Sequence, residues 1–328
     1  MFGSSDKNEN GGKVLDKNSN WEREVVEKLA FATIKEQRRG RRWKIFFRLA
    51  FLLILGGFLF ASFDKNQEKS FPTGSHTAVV DVSGIIFDGS EASADIVIAG
   101  LQAAVKSSGT KGIILKINSP GGSPVQAAYV YDEIRRIKKN HPDLPIHAVV
   151  ADICASGGYF IAAAADSIFV NESSIIGSIG VVMNGFGFVD TLKKFGVERR
   201  LMTAGAHKGM LDPFSPQNEP EKARAQKLLD GIHENFITAV KQGRGARLKE
   251  TPDTFSGLVW LGSESIELGI ADDLGTVHSV ARDQIGEPKI VDFTHHETVF
   301  DQFVKGMGTS MGQSLLSVIN SGSSFSIR

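Results

Sequence analysis

The chain has 328 residues, 41% hydrophobic and 23% charged, which is the composition of an ordinary globular protein with enough apolar residues for one large core or two small ones. Its 37 basic and 37 acidic side chains cancel, which excludes a global electrostatic pull toward nucleic acid or acidic ligands. A single cysteine, Cys154, rules out an intrachain disulfide and an all-cysteine metal site.

The neutral total hides an asymmetry. Residues 1–48 carry twelve Lys/Arg and seven Asp/Glu, so this end is basic and the remainder acidic. Residues 1–20 are rich in Lys, Asn, Gly and Ser and read as a disordered tail. Asn20 to Gln37 spaces its apolar residues for a short helix. Next, "RRGRRWK" (Arg38 to Lys44) leads into "IFFRLAFLLILGGFLFASF" (Ile45 to Phe63), a run interrupted only by Arg48. A helix of about nineteen residues roughly spans a bilayer core. Basic residues before it and Asp64 after it orient the N-terminus to the cytoplasm. A cleaved signal peptide expects a short leading segment and a small-x-small site. Here more than forty residues precede the run and "FASF" is a poor site, so the sequence favours an uncleaved anchor. The expected division is a cytoplasmic segment at 1–42, a transmembrane anchor at 43–63, a linker at 64–75, one large domain at 76–293 and a tail at 294–328.

From Thr77 the pattern alternates strand and helix. Strands are expected at Thr77–Ile86, Lys111–Asn118 and Ile146–Ile153, with helices at Ala92–Ser107 and Val125–Lys139 between them. Continuous apolar strands separated by such helices predict an α/β fold whose largely parallel sheet has helices on its flanks. Further strands are expected at Ile175–Met183 and Val197–Thr203, a long helix from about Pro220 to Arg244, and an amphipathic helix within the tail. No internal repeat is present.

Two stretches bear chemistry. In "INSPGGSPVQAA" (Ile117 to Ala128) a strand ends, Pro120 fixes the chain, and Gly121 and Gly122 let backbone N–H groups approach an oxyanion or phosphate before a helix begins. No Gly-Lys-Ser/Thr follows and there is no G-x-G-x-x-G, so neither nucleotide-binding loop is present. In "CASGGYFIAAAADSIF" (Cys154 to Phe169), Ser156 follows the third strand and opens an alanine-rich helix. A serine there is a helix N-cap or a nucleophile beside oxyanion donors, and a lone serine reads as the cap. Cys154 at −2 breaks the G-x-S-x-G pattern of α/β-hydrolases. An attacking serine needs a base, and "TAGAHKGMLDPF" offers His207 and Lys208, between which composition does not choose.

Taken together, "INSPGG", "ADICASGGYFIAAAADSIFVNESSIIGSIGVV" and "TAGAHKGMLDPFSP" resemble, in order and approximate spacing, the signal peptide peptidase A (protease IV-like) family, in its short single-copy form. The resemblance runs from about His76 to Val291 and implies a ClpP/crotonase-type fold. It further implies Ser156 as nucleophile, Lys208 as general base and Ser178 in "GSIGV" as the hydroxyl that orients that lysine. Gly121 or Gly122 would form the oxyanion loop together with the Gly157 N–H. Relatives commonly flank the lysine with Tyr or other polar residues, where this chain has "GAHKGM". A lysine near its ordinary pKa of about 10.4 is protonated at neutral pH, so the site has to exclude water. The resemblance implies a homo-oligomeric ring in which the lysine comes from the next protomer, and peptide substrates, above all remnant signal peptides. It implies no cofactor, no metal and no nucleic acid. The location expected is the bacterial inner membrane, with the catalytic domain on the periplasmic side. The alternatives weighed are a sibling peptidase for one membrane protein, a crotonase-type acyl-CoA enzyme, and a membrane-anchored scaffold with a dead site.

Overall fold

A computed structural model describes residues 16–65 and 74–295 of the chain. The chain divides into two units, 1–70 and 71–328. The expected N-terminal tail up to residue 15, most of the linker, and the tail from residue 296 with its amphipathic helix lie outside the described residues.

The described part of the first unit is one helix, α1 (Asp16–Lys65). It merges the expected short helix and the expected anchor, because no proline separates them and the intervening "RRGRRWK" holds a single glycine. Among the described residues, no helix is long and apolar enough to cross a membrane. The side chains of residues 58–65, which carry the apolar end of the expected anchor, are outside those described.

The second unit opens with β1 (His76–Ser83), α2 (Ala94–Lys106), β2 (Thr110–Ser119), α3 (Pro124–Asn140) and β3 (Ile146–Ala155), as the alternation predicts. There follow α4 (Gly157–Ala162), β4 (Ser167–Val170), β5 (Ile175–Gly177), α5 (Val189–Lys194) and α6 (Glu219–Arg244). The last elements among the described residues are β6 (Val259–Leu261), α7 (Gly262–Glu267), β7 (Asp273–Leu274), α8 (Val277–Asp283) and β8 (Ile290–Asp292). The strands form one sheet in the order β6-β5-β3-β2-β1-β8, with β4 and then β7 beside the first half of β3. Every pairing is parallel except β5 with β6.

Alternate strand residues feed two cores. Ala78, Val80 and Val82 with Ile113, Leu115 and Ile117 pack under α2 and α3 in the larger one. Val79, Ile114, Val149 and Phe169 pack under α8 in the smaller one. Burial on both faces is why β1 to β3 read as near-continuous apolar runs. The helices start where their caps dictate. Ser123 Oγ accepts the Gln126 N–H ahead of Pro124 in α3, and Asn218 Oδ1 accepts the Glu221 N–H in α6.

Three expectations need correction. The strand expected at Ile175–Met183 ends at Gly177, because Gly177 (φ +113°) and Ser178 (φ +53°) turn the chain off the sheet. The strand expected at Val197–Thr203 is irregular and exposed, its apolar residues having no sheet partner. β4 is hidden in the apolar run after Ser156, which turns back to the sheet instead of continuing as helix.

Candidate active site

Three strand ends converge at the carboxyl edge of the sheet, where open parallel sheets hold their ligands. Strand β2 ends at Ser119 and passes into Pro120-Gly121-Gly122. Strand β3 ends at Ala155 and passes into Ser156. Strand β5 ends at Gly177 and passes into Ser178. The segments are tied directly, since the Ser156 N–H donates to Gly177 O at 2.9 Å and the Ser178 N–H to Leu258 O at 2.7 Å.

Ser156 precedes the first residue of α4 and has φ +52°, ψ −120°, a conformation that disfavours any residue with a Cβ. Its side chain makes no capping hydrogen bond, so the capping role that suits a lone serine is unused here. The glycine loop presses against it. A Cβ on Gly121 would stand 2.7 Å from both Gly157 N and Ser156 Cβ, and one on Gly122 would stand 2.1 Å from Ile86 O. Both glycines also have positive φ, +100° and +151°. Only glycine lets the two backbones come this close.

The loop separates the two candidate donors. Gly121 N–H donates to Ser119 Oγ at 3.1 Å. Among the described residues, no acceptor takes the N–H of Gly122 or of Gly157, and a Cβ built on Gly157 would lie 3.3 Å from Gly122 N. Two unpaired backbone donors thus stand side by side next to Ser156, an arrangement able to hold an oxyanion.

These groups open on a cleft of about 690 Å³ lined by Gly122, Ser156, Gly157 and Ser178. Pro120, Pro124, Phe160, Val181, Val182, Ile232 and Phe236 give it apolar walls. Phe160 and Phe236 pack with ring centroids 4.9 Å apart and planes tilted by 30°, which fixes α6 as one wall. Cys154, two residues before the serine, is fully buried, and burial pushes its thiol well above the ordinary range, so it is a packing residue. Among the described residues, no cluster of His, Cys, Asp and Glu could hold a metal ion.

Two expected site residues are not at the cleft wall. Gly121 does not line the cleft, and its N–H is occupied. Lys208 is exposed in an irregular segment and does not line the cleft in the single chain, and neither does His207. One residue that no sequence pattern singles out does line it, namely His233 on α6. Nothing within "GIHENF" ties that histidine to a site, and only the packing of α6 brings it there.

Known proteins resemble the chain over the stretch that builds this cleft. Residues 138–286 match the Peptidase family S49 and residues 77–176 match the Clp protease family. A Brucella abortus protein named Na(+)/H(+) antiporter NhaA is 46% identical over 175 residues, 53% of this chain and 24% of its own length. An Enterococcus faecium protein named for signal peptide peptidase SppA is 32% identical over 184 residues, 56% of this chain and 53% of its own. Protease 4 of Haemophilus influenzae is 30% identical over 217 residues, 65% of this chain and 34% of its own. The chain thus spans between a quarter and about half of these relatives. The glycine loop and the Ser156 segment that meet at the cleft both fall inside the matched ranges, so the stretch that builds the cleft is similar to Peptidase family S49 and to the proteins named for signal peptide peptidase SppA and protease 4.

Proposed function

We propose that the chain is a serine endopeptidase in which Ser156 attacks and Lys208 of the next protomer in a homo-oligomeric ring takes its proton. The observation that carries this reading is the strained, uncapped Ser156 beside the unpaired N–H groups of Gly122 and Gly157.

In the first step the Ser156 O–H proton passes to neutral Lys208 Nζ, and Oγ bonds to the peptide carbonyl carbon. The carbonyl oxygen becomes an anion held by the two backbone donors. Collapse breaks the C–N bond, and the lysine delivers its proton to the departing amine. Water then attacks the acyl-serine with the same lysine as base and releases the acid. Ser178, on the wall of the same cleft, is suited to donate or accept a hydrogen bond at the arriving amine and so orient it.

The apolar walls suit apolar peptides, and remnant signal peptides are the substrates proposed. The basic-then-apolar run at 38–63 supports anchoring in the inner membrane, with the N-terminus cytoplasmic and the peptidase domain periplasmic. Ion exchange is no part of this reading, because the relative named as an antiporter shares only 24% of its length with the chain.

With full-length protein in detergent, Ser156→Ala and Lys208→Ala are each expected to abolish cleavage of an apolar peptide while the thermal midpoint is kept. Full activity in Lys208→Ala would falsify the dyad. If a serine-directed phosphonate fails to label Ser156, the domain is an inactive scaffold. Cleavage profiling on intact membranes, comparing active protein with Ser156→Ala, separates a broad peptide scavenger from an enzyme for one membrane protein.

A further inference from the structure

We infer that His233 is a positioning residue for the Ser156 site, acting through the backbone turn that carries Ser178; the inference rests on the peptidase reading above. His233 lies on α6, lines the same cleft as Ser156 and Ser178, and its Nε2 is 3.1 Å from Ile179 O. A carbonyl only accepts, so Nε2 carries the hydrogen.

The turn it reaches is strained and does two jobs. Gly177 and Ser178 both have positive φ, and the Gly180 N–H folds back on Ser178 O at 2.9 Å, making Ile179 the centre of a three-residue turn. The carbonyl of Gly177 accepts the Ser156 N–H, which holds the nucleophile segment, and Ser178 lines the cleft. Ile179 is itself fully buried, yet its carbonyl accepts no backbone N–H among the described residues. The imidazole of His233 is therefore the tether between α6 and this turn. Without it the Ile179 carbonyl loses its partner, and a turn with two residues at positive φ has one fewer contact to keep it from relaxing.

The role requires a donor at the Nε2 position and no proton transfer. The amide nitrogen of glutamine reaches about as far from the backbone as imidazole Nε2, while that of asparagine falls short. The test compares His233→Leu, His233→Asn and His233→Gln in the full chain by steady-state cleavage of an apolar peptide, its pH profile, and thermal midpoint. Amide hydrogen exchange across residues 177–182 gives a readout that does not depend on cleavage. The expected result is a kcat about tenfold lower in His233→Leu and His233→Asn, the equivalent of one lost hydrogen bond, with KM within about twofold. Exchange at 177–182 is faster in both. His233→Gln restores kcat to within about threefold and leaves the pH profile unchanged.

Wild-type kcat and exchange in His233→Asn overturn the inference, and that variant decides the matter if His233→Leu does not fold. A His233→Gln protein as slow as His233→Asn, with a limb missing from its pH profile, also overturns it, by making the imidazole an acid–base group. A parallel Ser156→Ala control separates the two layers. Residual cleavage there defeats the peptidase reading, while the exchange data still judge the tether.

Discussion

Ser156 holds a backbone conformation (φ +52°, ψ −120°) whose cost its own side chain does nothing to offset, since it forms no capping hydrogen bond. A non-glycine residue held in such a region costs about 1–3 kcal/mol. Replacing the serine by glycine relieves that cost but adds freedom to the unfolded chain, worth about 0.5–1 kcal/mol against the folded state. Ser156→Gly is therefore expected to be more stable than Ser156→Ala by about 1 kcal/mol, or a few degrees of thermal midpoint, with both inactive. A Ser156→Gly midpoint below that of Ser156→Ala in calorimetry, the order that chain entropy alone dictates, would show that the site stores no strain at this residue. The residues that make this position special are legible in the amino-acid order alone. Two adjacent glycines after one strand and a serine with two glycines after the next mark places where backbones must touch. Which glycine donates is not legible there, because that depends on Ser119 Oγ capturing the Gly121 N–H. His233 is equally unreadable, since its partner is a backbone carbonyl 54 residues away and no side-chain pattern announces it.

Helix α6 shows the same division at the scale of an element. Its extent is predictable from an N-cap asparagine, Pro220 in the first turn and a long amphipathic run ending at Gly245. Its function as a wall of the cleft is not, because that follows from how its C-terminal end is pinned. Arg244 is 1% exposed and forms a two-pronged pair with Asp272, Nη1 at 2.7 Å and Nη2 at 2.9 Å, while its Nε donates to Gly269 O. Asp272 also accepts from Arg247 and from the N–H of Ile168, the second residue of β4. A Cβ on Gly243 would stand 1.8 Å from Ala163 O, so the helix sits against the end of α4 with no room to slide. Burial raises the Asp272 carboxyl, but the hydrogen bonds and charge of Arg244 outweigh it and leave the group below its ordinary range. The folded carboxyl thus titrates below the unfolded one. Its contribution is complete above about pH 4 and is lost as the pH falls through the folded value. Asp272→Asn strands the Arg244 charge, and about 3–5 kcal/mol of stability should disappear at pH 7. The acid-induced loss expected of wild type below about pH 4 should shrink with it. Urea unfolding at pH 7 and pH 3.5 checks both parts, and an unchanged difference between the two pH values would remove Asp272 from the acid response.

For the whole molecule, the exposed lysine and the exposed apolar surface are one problem. A lysine has to lose water to act as a base, and Lys208 is exposed in the single chain. The stretch that carries it also exposes large apolar side chains, among them Val182 (87%), Phe186 (75%), Phe195 (79%) and Met202 (95%). Monomeric proteins seldom leave so much apolar surface bare. Cover by a second copy of the same chain, as proposed above, would answer both needs, because a head-to-tail contact repeated around a ring would bring one protomer's lysine segment to the next protomer's serine. The alternating pattern makes the sheet legible, but "VERRLMT" has the composition of a strand and none of its partners, and it reads as a sheet element because exposed apolar residues look like core in a sequence. The decisive measurement mixes two dead proteins. Ser156→Ala and Lys208→Ala, carrying different tags, are dissociated, combined in equal amounts and reassembled, and mixed particles are recovered through both tags. If each site takes its serine and its lysine from neighbouring protomers, random mixing leaves about a quarter of the sites with both groups, and activity returns to about that fraction of wild type. If serine and lysine act within one chain, no site in any mixture holds both, and the mixed particles stay inactive.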